Sequence, residues 1–283
     1  MKILVKNKSK LIKKRAVLVC VLALVVILGF CIIQRKYSKK NIVTATKVDR
    51  SIKKKKIKKV VSKEKPNPND CNIDNLGQGP VYPWNMEKDS NKKIAYLTFD
   101  DGPSVNTTKI LDILKQNNIQ ATFFLIGKNA QAYPNLVKLE VANGESVANH
   151  TYSHVINYRE APEQFIQDIN RCDVVLKSIL GDKYIPKFVR FPGGSYGNRL
   201  QPFRVAVTNS GYRYLDWNAL NGDAEHPNVP VNQLIDNVKK TVAGKKVVVI
   251  LMHDAGAKTT TVQALPEIIQ YLKSQGFSFG KLV

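Results

Sequence analysis

Cysteine is scarce in this 283-residue chain, and the four present exclude more than they suggest. Cys20 and Cys31 fall inside one apolar run, which leaves only Cys71 and Cys172 to meet elsewhere. Two cysteines that far apart make neither a disulfide scaffold nor a thiolate metal site, although an oxidising exterior permits one bridge between them. Acidic residues are almost missing from the first 65 positions, where Asp49 and Glu64 stand against 21 lysines and arginines. The rest of the chain is nearly balanced, so the formal net charge of +22 belongs to a tail. With no basic stripe and no reader motif in the folded part, that charge argues against nucleic-acid binding. Histidine is scarce as well, and three of the four gather at the ends of apolar runs.

Ala16 to Ile33 is 18 residues without a charge, bounded by Lys13, Lys14, Arg15 and by Arg35, Lys36. A helix of that length just crosses a hydrocarbon core of about 30 Å. The run exceeds the roughly 7 to 15 residues of a cleaved signal peptide and no small-x-small site follows closely, so an uncleaved single-pass membrane anchor is expected. Seven basic residues precede the span and five follow it within 15 positions, a small bias that puts residues 1–15 in the cytoplasm and the remainder outside the cell. Residues 34–70 are lysine-rich, with Lys53 to Lys56 consecutive, and hold too few large apolar side chains to fold alone. They read as a flexible stalk, either merely solvated or attracted to anionic headgroups and wall polymers. Residues 71–91, with Gly77, Gly79, Pro80 and Pro83, read as an irregular lead-in to a domain over 92–283.

From Lys92 onward, short apolar runs alternate with segments of helical period. Strands are expected over Ile94–Phe99, Ala121–Ile126, Ser146–Ala148, Phe188–Phe191, Tyr212–Asp216, Val247–Met252 and Phe277–Phe279. Helical stretches include Thr107–Gln116, Gln164–Leu180, Asn232–Ala243 and Val262–Gln275. About seven βα alternations imply a parallel sheet, closed as a barrel or open and doubly wound.

Polar residues cluster where these strands end. The first runs into Asp100-Asp101-Gly102-Pro103, the third into His150 and His154, the fourth into Arg190-Phe191-Pro192-Gly193-Gly194. The fifth gives Asp216, Trp217 and, after a short loop, Asp223, and the sixth gives His253 and Asp254. Such a gathering at the carboxyl ends of parallel strands points to one site at the top of a barrel-like sheet. A His-x-x-x-His pair entering a helical turn suits one metal ion, but that spacing alone is weak evidence. Asp100 and Asp101 repel each other unless one turns to a cation and the other toward Arg190; an Asx turn or helix cap before Gly102-Pro103 is the plainer alternative. Tyr152, Tyr196 and Trp217, aromatics near strand ends, are candidates to stack on a ligand or to fill the core. His226, beside Pro227, reads as an exposed loop residue, and Asp254 as a capping or salt-bridging group.

Taken in order, these motifs resemble the polysaccharide deacetylases of carbohydrate esterase family 4, the NodB-homology domain, over residues 92 to 280. The resemblance implies a distorted (β/α)7-type barrel and hydrolysis of acetyl groups on sugars. It implies Asp100 as general base, with Asp101, His150 and His154 as metal ligands. It further implies His253 as general acid, Arg190 orienting Asp100, and Asp223 holding His253. Asp223 is preferred to Asp216 in that role for its offset of six from Trp217. Gly193 stands where the family offers a backbone donor to the oxyanion, and Leu251 where it lines the acetyl-methyl pocket, with Trp217 and Tyr196 as further substrate contacts. Two departures concern the sugar subsites: many members have an aromatic at the fourth position of Arg190-Phe191-Pro192-Gly193-Gly194, and several have Trp where Ala224 stands. The implied cofactor is one divalent metal ion, most naturally Zn²⁺, with Co²⁺, Ni²⁺, Mn²⁺ and Fe²⁺ also suited to two imidazoles and a carboxylate. The expected partner is a polysaccharide substrate, peptidoglycan glycan strands and their N-acetylglucosamine first, and the chain itself is expected to be a monomer. N-acetylmuramic acid, chitin-like oligomers and acetylated xylan remain alternatives, as does a non-catalytic wall-binding module.

Overall fold

The computed structural model describes residues 67–73, 76–87, 89, 91–185 and 188–283. The expected cytoplasmic N-terminus, membrane span and residues 34–66 of the stalk lie outside the described residues. Among the described residues, no helix is long and apolar enough to cross a membrane.

The apolar runs form a parallel sheet. Its strands are β1 (Gly79–Pro80), β2 (Ile94–Gly102), β3 (Thr122–Leu125), β4 (Ser146–Asn149), β5 (Phe188–Val189), β6 (Arg213–Tyr214), β7 (Ala219–Leu220), β8 (Val247–His253) and β9 (Ser278–Gly280). The helices that cover it are α1 (Thr107–Gln116), α2 (Gly127–Ala132), α3 (Pro134–Ala142), α4 (Pro162–Leu180), α5 (Gln201–Asn209), α6 (Val231–Val242) and α7 (Thr259–Ser274). Pro134 and Pro162 sit in the first turns of α3 and α4, where a missing N–H costs nothing.

Neighbours in the sheet run β1-β6-β5-β4-β3-β2-β8-β7, with β9 beside the lower half of β2. The expected distorted (β/α)7-type barrel is therefore a half-barrel, open between β1 and β7. Below its short pairing with β7, the edge of β8 is met by the Asn218 side chain: Asn218 Oδ1 accepts from Val249 N at 2.8 Å and its Nδ2 donates to Val247 O at 2.9 Å. With those backbone groups satisfied, nothing forces the sheet to close.

Strand alternation divides the core. Ala95, Leu97 and Phe99 of β2 and Val248, Ile250 and Met252 of β8 face the helices, in a cluster that includes Leu114, Ile269 and Leu272. Ile94 and Tyr96 with Val247 and Val249 face the interior, beside Phe124, Ala148, Phe188 and Leu215. Phe99 stacks on Phe123 at 5.1 Å between ring centres, and Phe124 meets Phe188 edge-on at 5.5 Å. Each such buried ring is worth about 1.5–3 kcal/mol of transfer free energy, enough to make a rigid floor for the polar layer above.

Two readings from composition are corrected here. Residues 67–70, assigned to the stalk, and residues 71–91, read as irregular, are built into the fold. Asn67 Nδ2 donates to Phe279 O at 3.0 Å, Tyr96 Oη to Asn69 O at 3.0 Å, and Lys281 N to Asp70 Oδ1 at 2.9 Å. Cys71 bridges Leu282, and Gly79–Pro80 pair with β6 as an edge strand. These segments attach through polar side chains, main-chain atoms and scattered apolar residues such as Ile73 and Val81 in the interior cluster, which follow no strand or helix period. The permitted Cys71–Cys172 bridge is absent: both thiols are free, one in the interior cluster and the other on α4 in the helix-facing cluster.

Candidate active site

Register brings the first pair together. β2 and β8 are parallel with Asp100 opposite His253, and paired strands lie about 4.8 Å apart. Both residues continue the interior series, Ile94-Tyr96-Thr98-Asp100 and Val247-Val249-Leu251-His253, up to the carboxyl rim. By the same count His150 follows Ala148, and Arg190 follows Phe188. Regular alternation would send Asp101 to the helix side. Instead the β2–β3 register shifts between Asp100 and Gly102, and Asp101 takes a left-handed φ of 72°. That kink brings both carboxylates to one rim.

Asp101 Oδ1 lies 3.5 Å from His150 Nε2 and 3.2 Å from His154 Nε2. It is buried and has no hydrogen-bond partner. His150 Nδ1 sits 2.8 Å from Arg190 O; only an N–H bonds a carbonyl, so Nε2 keeps its lone pair for the Asp101 side. Burial, the largest influence, pushes His150 down to about 3, so its ring is neutral at ordinary pH. Three donors within 4.8 Å of one another, two of them imidazole nitrogens and the third a carboxylate oxygen with no other bond to make, fit a divalent cation.

The loop carrying the histidines is held from below. Asp168 Oδ2 accepts from Tyr152 N at 3.0 Å and from Ser153 N at 2.9 Å. Asn149 Oδ1 accepts from Thr151 N at 2.7 Å while its amide donates to Asp173 Oδ1 at 2.6 Å. Asp173 also accepts from Tyr184 at 2.6 Å and from Tyr212. Thr151 and His154 have φ of 65° and 61°, conformations unfavourable enough that such anchors are needed to keep them.

Asp100 Oδ1 accepts from Arg190 Nη1 at 2.8 Å. Burial raises the Asp100 carboxyl above its ordinary range, and the guanidinium opposes that rise. Arg190 is wholly buried and reaches Thr98 Oγ1 at 2.8 Å, Leu215 O at 3.3 Å and Asp216 O at 3.2 Å, with Phe124 under its plane at 4.0 Å. Opposite, His253 Nδ1 lies 2.7 Å from Asp223 Oδ1. Asp223 Oδ2 accepts from His253 N at 2.9 Å and Thr261 Oγ1 at 2.7 Å. Burial disfavours the imidazolium, yet the bond and charge of Asp223, reinforced by Asp100 and Asp101, raise His253 to about 9. Asp216 is occupied elsewhere, accepting from Ser195 N at 2.9 Å and Ser195 Oγ at 2.6 Å, so Asp223 is the partner of His253.

Leu251 lies one interior position below His253, and Trp217 packs on the interior cluster 5.7 Å from the Arg190 guanidinium. Tyr196 is exposed and meets Trp217 edge-on at 5.9 Å. The Gly194 N–H is spent on Phe191 O at 2.9 Å, and among the described residues nothing accepts from Gly193 N. Tyr152 carries Arg171 over its ring at 3.6 Å and packs on the helix-facing cluster. His226 is exposed. Asp254 makes no salt bridge among the described residues; buried, it accepts from Ser104 Oγ at 2.8 Å and Thr107 Oγ1 at 2.5 Å, tying the end of β8 to the start of α1.

Sequence reasoning overlooked Thr98, Asn149, Asp168, Asp173, Ser195 and Thr261. Thr98 had a signal, standing two positions before Asp100 on the same strand face. Asn149 ends β4 one position before His150, and the others support the site from helices and turns whose spacing carries no such mark.

A sequence model of the polysaccharide deacetylases matches residues 87–215. A peptidoglycan-N-acetylglucosamine deacetylase of Bacillus cereus is 36% identical over 192 residues, covering 66% of this chain and 68% of that protein. A Streptococcus mutans esterase of carbohydrate esterase family 4 superposes with a TM-score of 0.61 at 33% identity, over 68% of this chain and 87% of that one. The Bacillus cereus polysaccharide deacetylase Bc1974 gives 0.60 at 34% identity, over 68% and 93%. With the fold, the motifs and these likenesses in agreement, this chain belongs to the polysaccharide deacetylases of carbohydrate esterase family 4.

Proposed function

We propose that this chain hydrolyses the N-acetyl group of N-acetylglucosamine in peptidoglycan, from a head held outside the cell by a membrane span at residues 16–33. The carrying observation is the convergence of Asp101, His150 and His154, flanked by the Asp100–Arg190 and His253–Asp223 pairs. A wall-binding module has no use for a base, an acid and a ligand set together. The substrate follows the printed activity of the Bacillus cereus relative, and the apolar run at 16–33 would keep the head close to wall strands.

Asp101, His150 and His154 would hold the metal ion, Zn²⁺ being the natural first choice for that donor set. When bound, such an ion supplies Lewis acidity, lowering the pKa of water and polarising the acetyl oxygen. Asp100, whose charged form Arg190 favours against burial, takes the proton of the attacking water as its oxygen bonds to the acetyl carbon. Gly193 N–H donates to the oxygen on which charge develops, a kind of contact worth about 3 kcal/mol. His253, charged through Asp223, gives its proton to the nitrogen as the C–N bond breaks, releasing acetate and a sugar amine. Leu251 gives the acetyl methyl an apolar wall.

The test is to incubate the purified full chain with peptidoglycan and with chitin oligomers, with and without chelator, and to identify the sugar that loses acetate. Release from N-acetylglucosamine of peptidoglycan, abolished by chelator and restored by Zn²⁺, is expected. Release confined to N-acetylmuramic acid, or to chitin, refutes the substrate, and chelator-resistant release refutes the metal. Protease accessibility of the head in intact cells tests the topology.

A further inference from the structure

The open side of the half-barrel is covered by the lead-in, and the cover leaves a cleft of about 330 Å³, within the roughly 300–1,000 Å³ of small-ligand pockets. Tyr82 and Trp84, flanking and inside a short helical turn, line it from the lead-in; Tyr196, Tyr214, Ser195 and Arg204 line it from the body. It adjoins the site already described, because Tyr196 Oη donates to Trp217 O at 3.2 Å and Trp217 packs toward Arg190. Tyr82 and Tyr196 are 48% and 57% exposed, large aromatic surfaces that the fold leaves uncovered. Tyr82 stands 5.6 Å from Trp84 between ring centres, tilted by 57°. Rings set at an angle make a wall against which a pyranose lays its apolar face while its hydroxyls reach water.

Charge narrows the occupant. Arg204 is the one cation lining the cleft, and its bonds, from Nη1 to Ser195 O at 2.7 Å and Gly197 O at 2.9 Å, go to neutral carbonyls. Asp216 also lines the cleft, but Ser195 takes both its oxygens. Arg204 is in no ion pair among the described residues, and a guanidinium held only by carbonyls can still anchor a carboxylate.

We propose that this cleft is a subsite for the sugar next to the one deacetylated, and that it selects a pyranose bearing a bare carboxylate, the 3-O-lactyl group of a wall strand stripped of its peptide. The inference rests on the peptidoglycan reading above and adds which strands are preferred. The volume holds one ring and a small acidic substituent, and a peptide stem would convert the lactyl carboxylate into a neutral amide with no charge for Arg204 to meet.

Affinity decides it independently of turnover. Full chain is titrated calorimetrically with three tetrasaccharides: a wall oligomer with free lactyl carboxylates, the same oligomer with those carboxylates converted to methylamides, and neutral chitotetraose. The free acid is expected to bind about tenfold more tightly than its amide, the worth of one charge-assisted bond. Arg204→Gln, which keeps donors for the two carbonyls but removes the charge, should erase that ratio. Tyr82→Ala should weaken all three ligands several-fold, and Tyr82→Phe should restore them. Equal binding of acid and amide by the wild type, or a ratio that survives Arg204→Gln, overturns the proposal, as does tighter binding of a peptide-bearing strand. Should Arg204→Gln fail to fold, the wild-type ratio alone decides. A preserved binding preference without acetate release would sink the deacetylase reading and leave the subsite standing.

Discussion

Replacing Asp223 by Asn should move the alkaline limit of activity. In the proposed reaction His253 is the acid that releases the amine, so activity should fall as pH rises through its pKa. That pKa stands at about 9 against an ordinary 6.5, and about 1.4 kcal/mol per pH unit makes the rise worth roughly 3 kcal/mol. Burial alone would lower it, so Asp223, foremost, with Asp100 and Asp101 together supply more than the net rise. Asp223→Asn removes the charge while keeping one oxygen for His253 Nδ1. The basic limb of kcat/KM should then drop from near pH 9 toward 6.5, a loss of up to about 100-fold at pH 8.5. A bound cation would shift both proteins downward together, so the separation between the two limbs is the quantity to measure. Acetate release from N-acetylglucosamine oligomers across pH 5 to 10 at fixed ionic strength gives both limbs. Stability follows the same sign: because the folded pKa is raised, the pairing stabilises fully below about 6.5 and ceases to do so as pH climbs through about 9. The melting difference between wild type and variant should shrink over that window. Basic limbs that coincide would refute His253 as the acid held by Asp223.

Asp100→Asn is expected to retain metal, by calorimetric titration with Zn²⁺, and to lose nearly all turnover, whereas Asp101→Asn should weaken Zn²⁺ binding by at least about 100-fold; wild-type activity in the first or unchanged affinity in the second breaks the assignment. Asp173→Asn places an amide donor among the Asn149, Tyr184 and Tyr212 donors, and should cost about 2–4 kcal/mol in urea unfolding together with metal affinity. Gly194→Ala puts a methyl 2.8 Å from the Tyr196 ring at a φ of 88°, and should raise KM and lower Tm, while Gly193→Ala, with no atom within 4 Å, pays only the backbone term of about 1 kcal/mol.

Much of the site was legible because strand register converts chain position into spatial position. Asp100 and His253 end apolar strands, and once those strands pair the two residues must be neighbours. Helix α1 matched its expected bounds for a similar reason, since its apolar residues Ile110, Leu111 and Leu114 keep helical spacing. What escaped has little periodicity to read. β1 and β7 are two residues long, and α2, α3 and α5, though genuine helices, are too short for a persuasive pattern. The open edge depended on Asn218 imitating a strand, and the support of the histidine loop depended on Asp168 and Asp173, two helical acids that resemble solvated charges. Choosing Asp223 over Asp216 followed a motif offset, and the physical reason emerged only with the Ser195 bonds.

The twisted backbone at Asp101 sets folding preference against catalysis. Left-handed geometry suits Gly and Asn and burdens bulkier side chains, with about 1 kcal/mol at stake. A library screened for heat resistance should thus enrich Gly and Asn at this position, trading away the only carboxylate of the ligand set. Glu, which keeps a carboxylate, would fare poorly in the same screen. The two rankings at this one residue should run in opposite directions, so stabilised variants of this enzyme have to be chosen with position 101 held fixed.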